Sequence, residues 1–135
     1  MQTKFQPYVG EMETRLNHLC SENPAIVAAQ VCTADGFAIA SARCDEESAR
    51  RLAAMVSSLH ALGDALVAEM QLGEYAHLSV EATLGKCVLF ALPDAEGQLL
   101  LAAVADRSML WGHFLFACRS ACESLAKVTG TAAPV

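Results

Sequence analysis

Apolar residues recur along this chain in two distinct rhythms. Val9, Met12, Leu16 and Leu19 stand three and four apart, the spacing of one helical face. Asn23-Pro24 ends that helix, because the residue before a proline resists helical dihedrals. Ala25–Thr33 is then almost continuously apolar and reads as a strand covered on both faces. Asp35-Gly36 separates it from a second apolar run, Phe37–Ser41, and predicts a hairpin whose turn needs the positive φ that glycine supplies.

Asp45 is placed to cap a long helix, with Glu46 and Glu47 complementing its positive end. The helix is expected to run to about Met70 and stop near Gly73. At 100° per residue, Leu52, Val56, Leu59, Gly63, Leu66 and Met70 share one side, expected to face a sheet. His60 borders that stripe as a partly buried residue. The opposite side carries the small residues Ala54, Ser57, Ser58, Ala61, Ala65 and Ala68. Leu52–Gly63 contains no charge, so a solvent-facing role fits poorly, and the small face is expected to pack on the same helix of a second subunit. In a two-fold contact centred near Ser57 and Ser58, Arg50 and Arg51 approach Asp64 and Ala65 of the mate.

Tyr75–Thr83 alternates. Ala76, Leu78, Val80 and Ala82 are expected inward, and His77, Ser79, Glu81 and Thr83 outward. Leu84-Gly85-Lys86 reads as a turn, Cys87–Leu92 as a strand, Pro93–Gly97 as a loop and Gln98–Ala105 as a central strand. Asp106 or Ser108 is the expected cap of a last helix whose core stripe is Leu110, Phe114, Cys118, Ala121 and Leu125, widened by Trp111 and Leu115. The order is α-β-β-α-β-β-β-α. Hairpin connections and one long crossover predict an α/β (α+β) sandwich in which a five-stranded, mainly antiparallel sheet carries helices on both faces.

Composition narrows the function. At 135 residues the chain is expected to be a single domain, 1–135, with a core over about 8–128 and frayed ends at Met1–Gln6 and Thr129–Val135. With 54% hydrophobic residues, disorder is excluded. Uncharged stretches such as Leu52–Gly63 and Ser108–Cys118 are too short for a membrane span. The net charge of −6 opposes binding to nucleic acid or an anionic membrane. Arg43, Arg50 and Arg51 form the one tight basic group, and Asp45, Glu46 and Glu47 sit among them.

The chain has six cysteines and no apolar leader in Met1–Gly10, which points to a reducing cytoplasm rather than a disulfide framework. There is no Cys-x-x-Cys, and the thiols mostly fall in apolar runs, so they read as small buried hydrophobes. Cys118 and Cys122 share a helical face, but a metal site there would need a remote histidine. No Gly-x-Ser-x-Gly, His-Glu-x-x-His or phosphate-binding Gly-x4-Gly-Lys-Ser/Thr motif occurs. Neither catalytic residues nor a cofactor or metal site is assigned.

Taken together, Pro24–Ser41 with Asp35-Gly36 at its turn, Ala49–Leu62, and Gln98–Gly112 with Arg119 resemble the roadblock family of dynein-light-chain-type domains, which includes bacterial regulators of Ras-like small GTPases. The resemblance runs from about Leu16 to Leu125 and implies a roadblock/profilin-like fold. It also implies a homodimer in which the middle helices pair and the third strands join edge to edge, with His77, Ser79 and Glu81 at the seam. The implied role is a non-catalytic adaptor or regulator of a Ras-like small GTPase. Arg43, Arg50, Arg51, Arg107 and Arg119 are candidates for action on a GTPase only by charge. A small-molecule-sensing domain of similar architecture is the alternative, and it requires a pocket with convergent polar groups.

Overall fold

A computed structural model describes residues 3–93 and 99–130. The chain opens with a 3-10 turn, Thr3–Tyr8, which delivers Phe5 to the core. Part of the stretch expected to fray lies in this turn. The elements then follow as α1 (Val9–Glu22), β1 (Ile26–Thr33), β2 (Ala38–Ala42), α2 (Glu46–Glu69), β3 (Leu78–Ala82), β4 (Gly85–Ala91), β5 (Leu99–Asp106) and α3 (Trp111–Gly130). The five strands lie in the order β2-β1-β5-β4-β3, with every neighbouring pair antiparallel. α2 is the crossover between the two edge strands. The loop expected at Pro93–Gly97 falls mostly outside the described residues.

α1 and α3 cover one face of the sheet. Met12, Leu16 and Leu19 of α1 and Phe114, Cys118, Cys122 and Leu125 of α3 are buried against Ile26, Val31, Val88, Phe90, Leu99 and Leu101. Two expectations for α3 change. Leu110 lies before the helix and is exposed, and Cys122 rather than Ala121 is buried at the next inward position. Asp106 does not cap α3. Its carboxylate accepts from the Ser108 backbone N–H at 2.9 Å and from the Ser108 hydroxyl, closing the turn that precedes the helix.

The β1–β2 hairpin turns as its Asp-Gly pair predicts. Gly36 sits at φ 103°, and its N–H donates to the Thr33 carbonyl at 3.0 Å. Phe37 is exposed in the turn rather than part of β2. Within β1, Val27 is also exposed, so that strand is not covered along its whole length.

α2 lies on the other face. Asp45 caps it, accepting from the Ser48 N–H at 2.8 Å, as its position before an acidic first turn predicts. The buried side of α2 is Ala49, Ala53, Val56 and Gly63, packed over Cys32, Leu89, Leu100 and Ala102. This is about 60° round the helix from the expected stripe. Val56 and Gly63 point inward as expected and Leu52 is half-buried, whereas Leu59, Leu66 and Met70 face outward. The reason is the closeness of the helix to the sheet: a Cβ on Gly63 would come within 2.7 Å of Leu78 Cδ1. Small residues fit that gap and leucines do not.

β3 begins later than its alternation suggested, at Leu78, and its turn to β4 is Thr83-Leu84 rather than Leu84-Gly85-Lys86. Val80, expected inward, is 51% exposed, because α2 reaches only the Leu78 end of the strand. By length and composition α2 is the one helix among the described residues that passes as a membrane span. Its Ala49, Ala53, Val56 and Gly63 side is nonetheless docked on the sheet.

Candidate functional site

The surface of α2 is unusual for a helix facing water. Met55, Leu59, Leu62, Leu66 and Met70 form an exposed apolar stripe at spacings of three and four. Leu62 and Leu66 are 67% and 62% exposed, values a monomer gains nothing by. On the sheet beside α2, a row across the strands is only partly covered: Ala28, Val104, Cys87 and Val80 pair in sequence across β1, β5, β4 and β3. Beyond Val80 the sheet ends, since β3 is an edge strand. Apolar helix flank, half-covered row and open edge together make a surface built to be covered.

The small-residue face lies elsewhere on α2. Ala54, Ser58, Ala61, Ala65 and Ala68 are exposed, as are Arg50, Arg51 and Asp64. Ser57 is half-buried and already engaged: its hydroxyl donates to the Ala34 carbonyl at 2.8 Å and sits under the hairpin turn at Gly36. Arg50 and Arg51 pair within the helix with Glu46 at 4.0 Å and Glu47 at 3.1 Å. Sequence periodicity missed Met55 and Leu62 altogether and assigned Leu59, Leu66 and Met70 to the sheet. The signal was present as a second stripe of large residues beside a stripe of small ones.

A polar clamp holds the segment that leads from α2 into β3. His60 Nδ1 meets the Tyr75 hydroxyl at 2.5 Å, and His60 Nε2 lies 3.4 Å from Asp64. Burial, with Asp64 nearby, pushes the Tyr75 phenol up to about 12, so it stays protonated at neutral pH. The chain reverses between helix and strand through Gln71 and Gly73, both at positive φ.

Burial holds all six thiols above their ordinary value, and Cys32, Cys118 and Cys122 are pushed up to about 12. Such thiols are not thiolates at neutral pH and are poor nucleophiles. Among the described residues no group of His, Cys, Asp and Glu is arranged to hold a metal ion. Arg43 donates to the Ile26 carbonyl at 3.2 Å, and the Arg119 guanidinium lies over the Phe90 ring at 5.8 Å. A groove of about 600 Å³ runs between α1 and α3, lined among others by Arg15, His18, Leu19, His113 and Phe116. Its arginine is already committed to Glu11 and to the Ser124 carbonyl and hydroxyl.

Comparison with known proteins places this architecture. The model of the Roadblock/LC7 domain matches residues 20–105. No curated protein sequence matches the chain. Among solved structures, Myxococcus xanthus MglB superposes with a TM-score of 0.80 at 14% identity, covering 90% of this chain and 96% of that one. A Roadblock/LC7 domain from Streptomyces avermitilis gives 0.80 at 18% identity, covering 87% and 97%. Profilin II of Acanthamoeba castellanii gives 0.54 at 13% identity, covering 87% and 95%, which marks the shared sandwich. With the family model spanning most of the sheet and all of α2, the chain belongs to the Roadblock/LC7 domain family.

Proposed function

We propose that this protein is a dimeric, non-catalytic adaptor of the cytoplasm that binds and regulates a Ras-like small GTPase. The Roadblock/LC7 family supports a regulatory adaptor role in general. The observation that carries the reading here is the continuous apolar surface of α2, the half-covered strand row and the open β3 edge. In this reading the helices of two copies cross antiparallel along the large-residue stripe, with Met55 against Leu66 of the mate and Leu59 against Leu62. Ser58 and Ala65 flank that contact, and Arg50, Arg51, Ala54, Ala61, Asp64 and Ala68 lie at or beyond its rim. The strands join at His77, Ser79 and Glu81.

Sedimentation of the purified protein tests the dimer, and capture of the native protein with mass identification of what co-elutes tests the partner. Recovery of a small GTP-binding protein, bound more tightly in one nucleotide state, is the expected result. A monomer with no such partner, melting at a higher temperature with one member of a metabolite panel, would instead favour a small-molecule sensor using the α1–α3 groove.

A further inference from the structure

The β3 edge carries enough detail to specify its own mate. Its hairpin to β4 has only Thr83 and Leu84 between the paired residues Ala82 and Gly85, so those two exchange both backbone hydrogen bonds. Alternation from that pair turns the N–H and C=O groups of Val80 and Leu78 toward β4. Those of Ser79 and Glu81 point out of the sheet with no strand to meet them. On the α1–α3 side of this edge the side chains in line are His77, Ser79 and Glu81.

Two of these lack a partner. The His77 ring packs on Phe90, with centroids 5.5 Å apart, and its Nδ1 is buried without a hydrogen bond. A proton on Nδ1 would be stranded, so the neutral ring carries its hydrogen on Nε2. Glu81 is exposed and has no ion pair among the described residues. The strand therefore offers an imidazole donor and a carboxylate acceptor four residues apart, on one side.

We propose that β3 of a second copy pairs antiparallel with this edge about a two-fold axis through Ser79, so that His77 Nε2–H of each copy donates to Glu81 of the other. The proposal rests on the dimer reading above and adds its register. Self-pairing of outward-facing groups allows an axis through Ser79, Val80 or Glu81. An axis through Glu81 sets two carboxylates face to face, which is destabilising. An axis through Val80 puts Glu81 opposite serine and leaves His77 opposite Thr83. The axis through Ser79 matches every pair: His77 with Glu81 twice, Ser79 with itself, and Leu78 with Val80 on the α2 side, which covers the exposed valine.

Oxidative cross-linking reads the register. Hydrogen-bonded partners stand about 5.5 Å apart at Cα, within disulfide reach. Ser79→Cys is expected to give a covalent dimer under mild oxidation. Val80→Cys and the wild type, with its own six cysteines, are expected not to. Glu81→Lys is expected to weaken the dimer about fivefold, and adding His77→Glu to restore it. A covalent dimer from Val80→Cys in place of Ser79→Cys overturns the register and leaves the dimer standing, as does failure of both while the wild type sediments as a dimer. A wild type that sediments as a monomer overturns the dimer reading itself.

Discussion

The two faces of the sheet solve the same packing problem in opposite ways. Under α1 and α3 the large residues are inside: Met12, Leu16, Phe114 and Leu125 are fully buried. Under α2 the residues inside are Ala49, Ala53, Val56 and Gly63, and Leu59, Leu62 and Leu66 are outside. The first face is finished within one chain. The second is half a core, close-packed against its own sheet and apolar on the surface it presents. In the proposed dimer such a helix is covered twice, by its sheet and by its mate, and its small residues take the closer contact.

The largest effect expected from this contrast is on stability. Phe114→Ala removes a fully buried ring and should destabilise the protein by about 3–5 kcal/mol. Leu66→Ala trims an exposed side chain and should change monomer stability by no more than about 0.5 kcal/mol. Urea unfolding at a concentration low enough to hold both as monomers measures the difference. Equal losses would mean that the α2 face is an ordinary core.

Association should show the reverse dependence. Leu66→Glu places a charge in the large-residue stripe and is expected to weaken the dimer at least about tenfold, with the fold intact by circular dichroism. Ala61→Glu, on the small-residue side, is expected to have little effect. If Ala61→Glu dissociates the protein and Leu66→Glu does not, the small face is the contact after all.

Gly63 tests how close α2 lies to the sheet. Gly63→Val must displace Leu78 well beyond its side-chain end, and an overpacked contact of this kind costs about 1–3 kcal/mol, whereas Gly63→Ala meets only the movable end of Leu78, gains helix propensity and should cost less. An increase in melting temperature for Gly63→Val would show that α2 has room to move outward.

This closeness also explains what the sequence could and could not reveal. The element order, the Asp35-Gly36 turn, the Asp45 cap and the inward residues of α1 were legible because each follows from a local rule. The orientation of α2 was not. Periodicity identifies an apolar stripe, and α2 has a stripe of large residues next to one of small residues. Only the gap over Leu78 decides which faces the sheet. Val80 was misplaced for a related reason: alternation says which side of the sheet a residue faces, but not whether a helix reaches that far. The His60–Tyr75 clamp joins residues on either side of a chain reversal, and no spacing rule connects them.

The smallest predicted effect concerns the N-terminal cap of α2, which involves no partner. Hydrogen bonding from Ser48 holds the Asp45 carboxyl below the usual aspartate range. A carboxyl depressed on folding stabilises the protein above its unfolded pKa, and that contribution disappears as the pH falls through the folded value. Asp45→Asn keeps a capping oxygen but not the charge that complements the helix end. Its melting temperature should lie slightly below that of the wild type at neutral pH, and the two should converge in acid, below the ordinary aspartate range. A gap that persists unchanged into acid would mean that Asp45 acts through hydrogen-bond geometry alone. The sheet-facing side of α2 would then be held by packing without help from charge, which would make the contrast between the two faces purely one of shape.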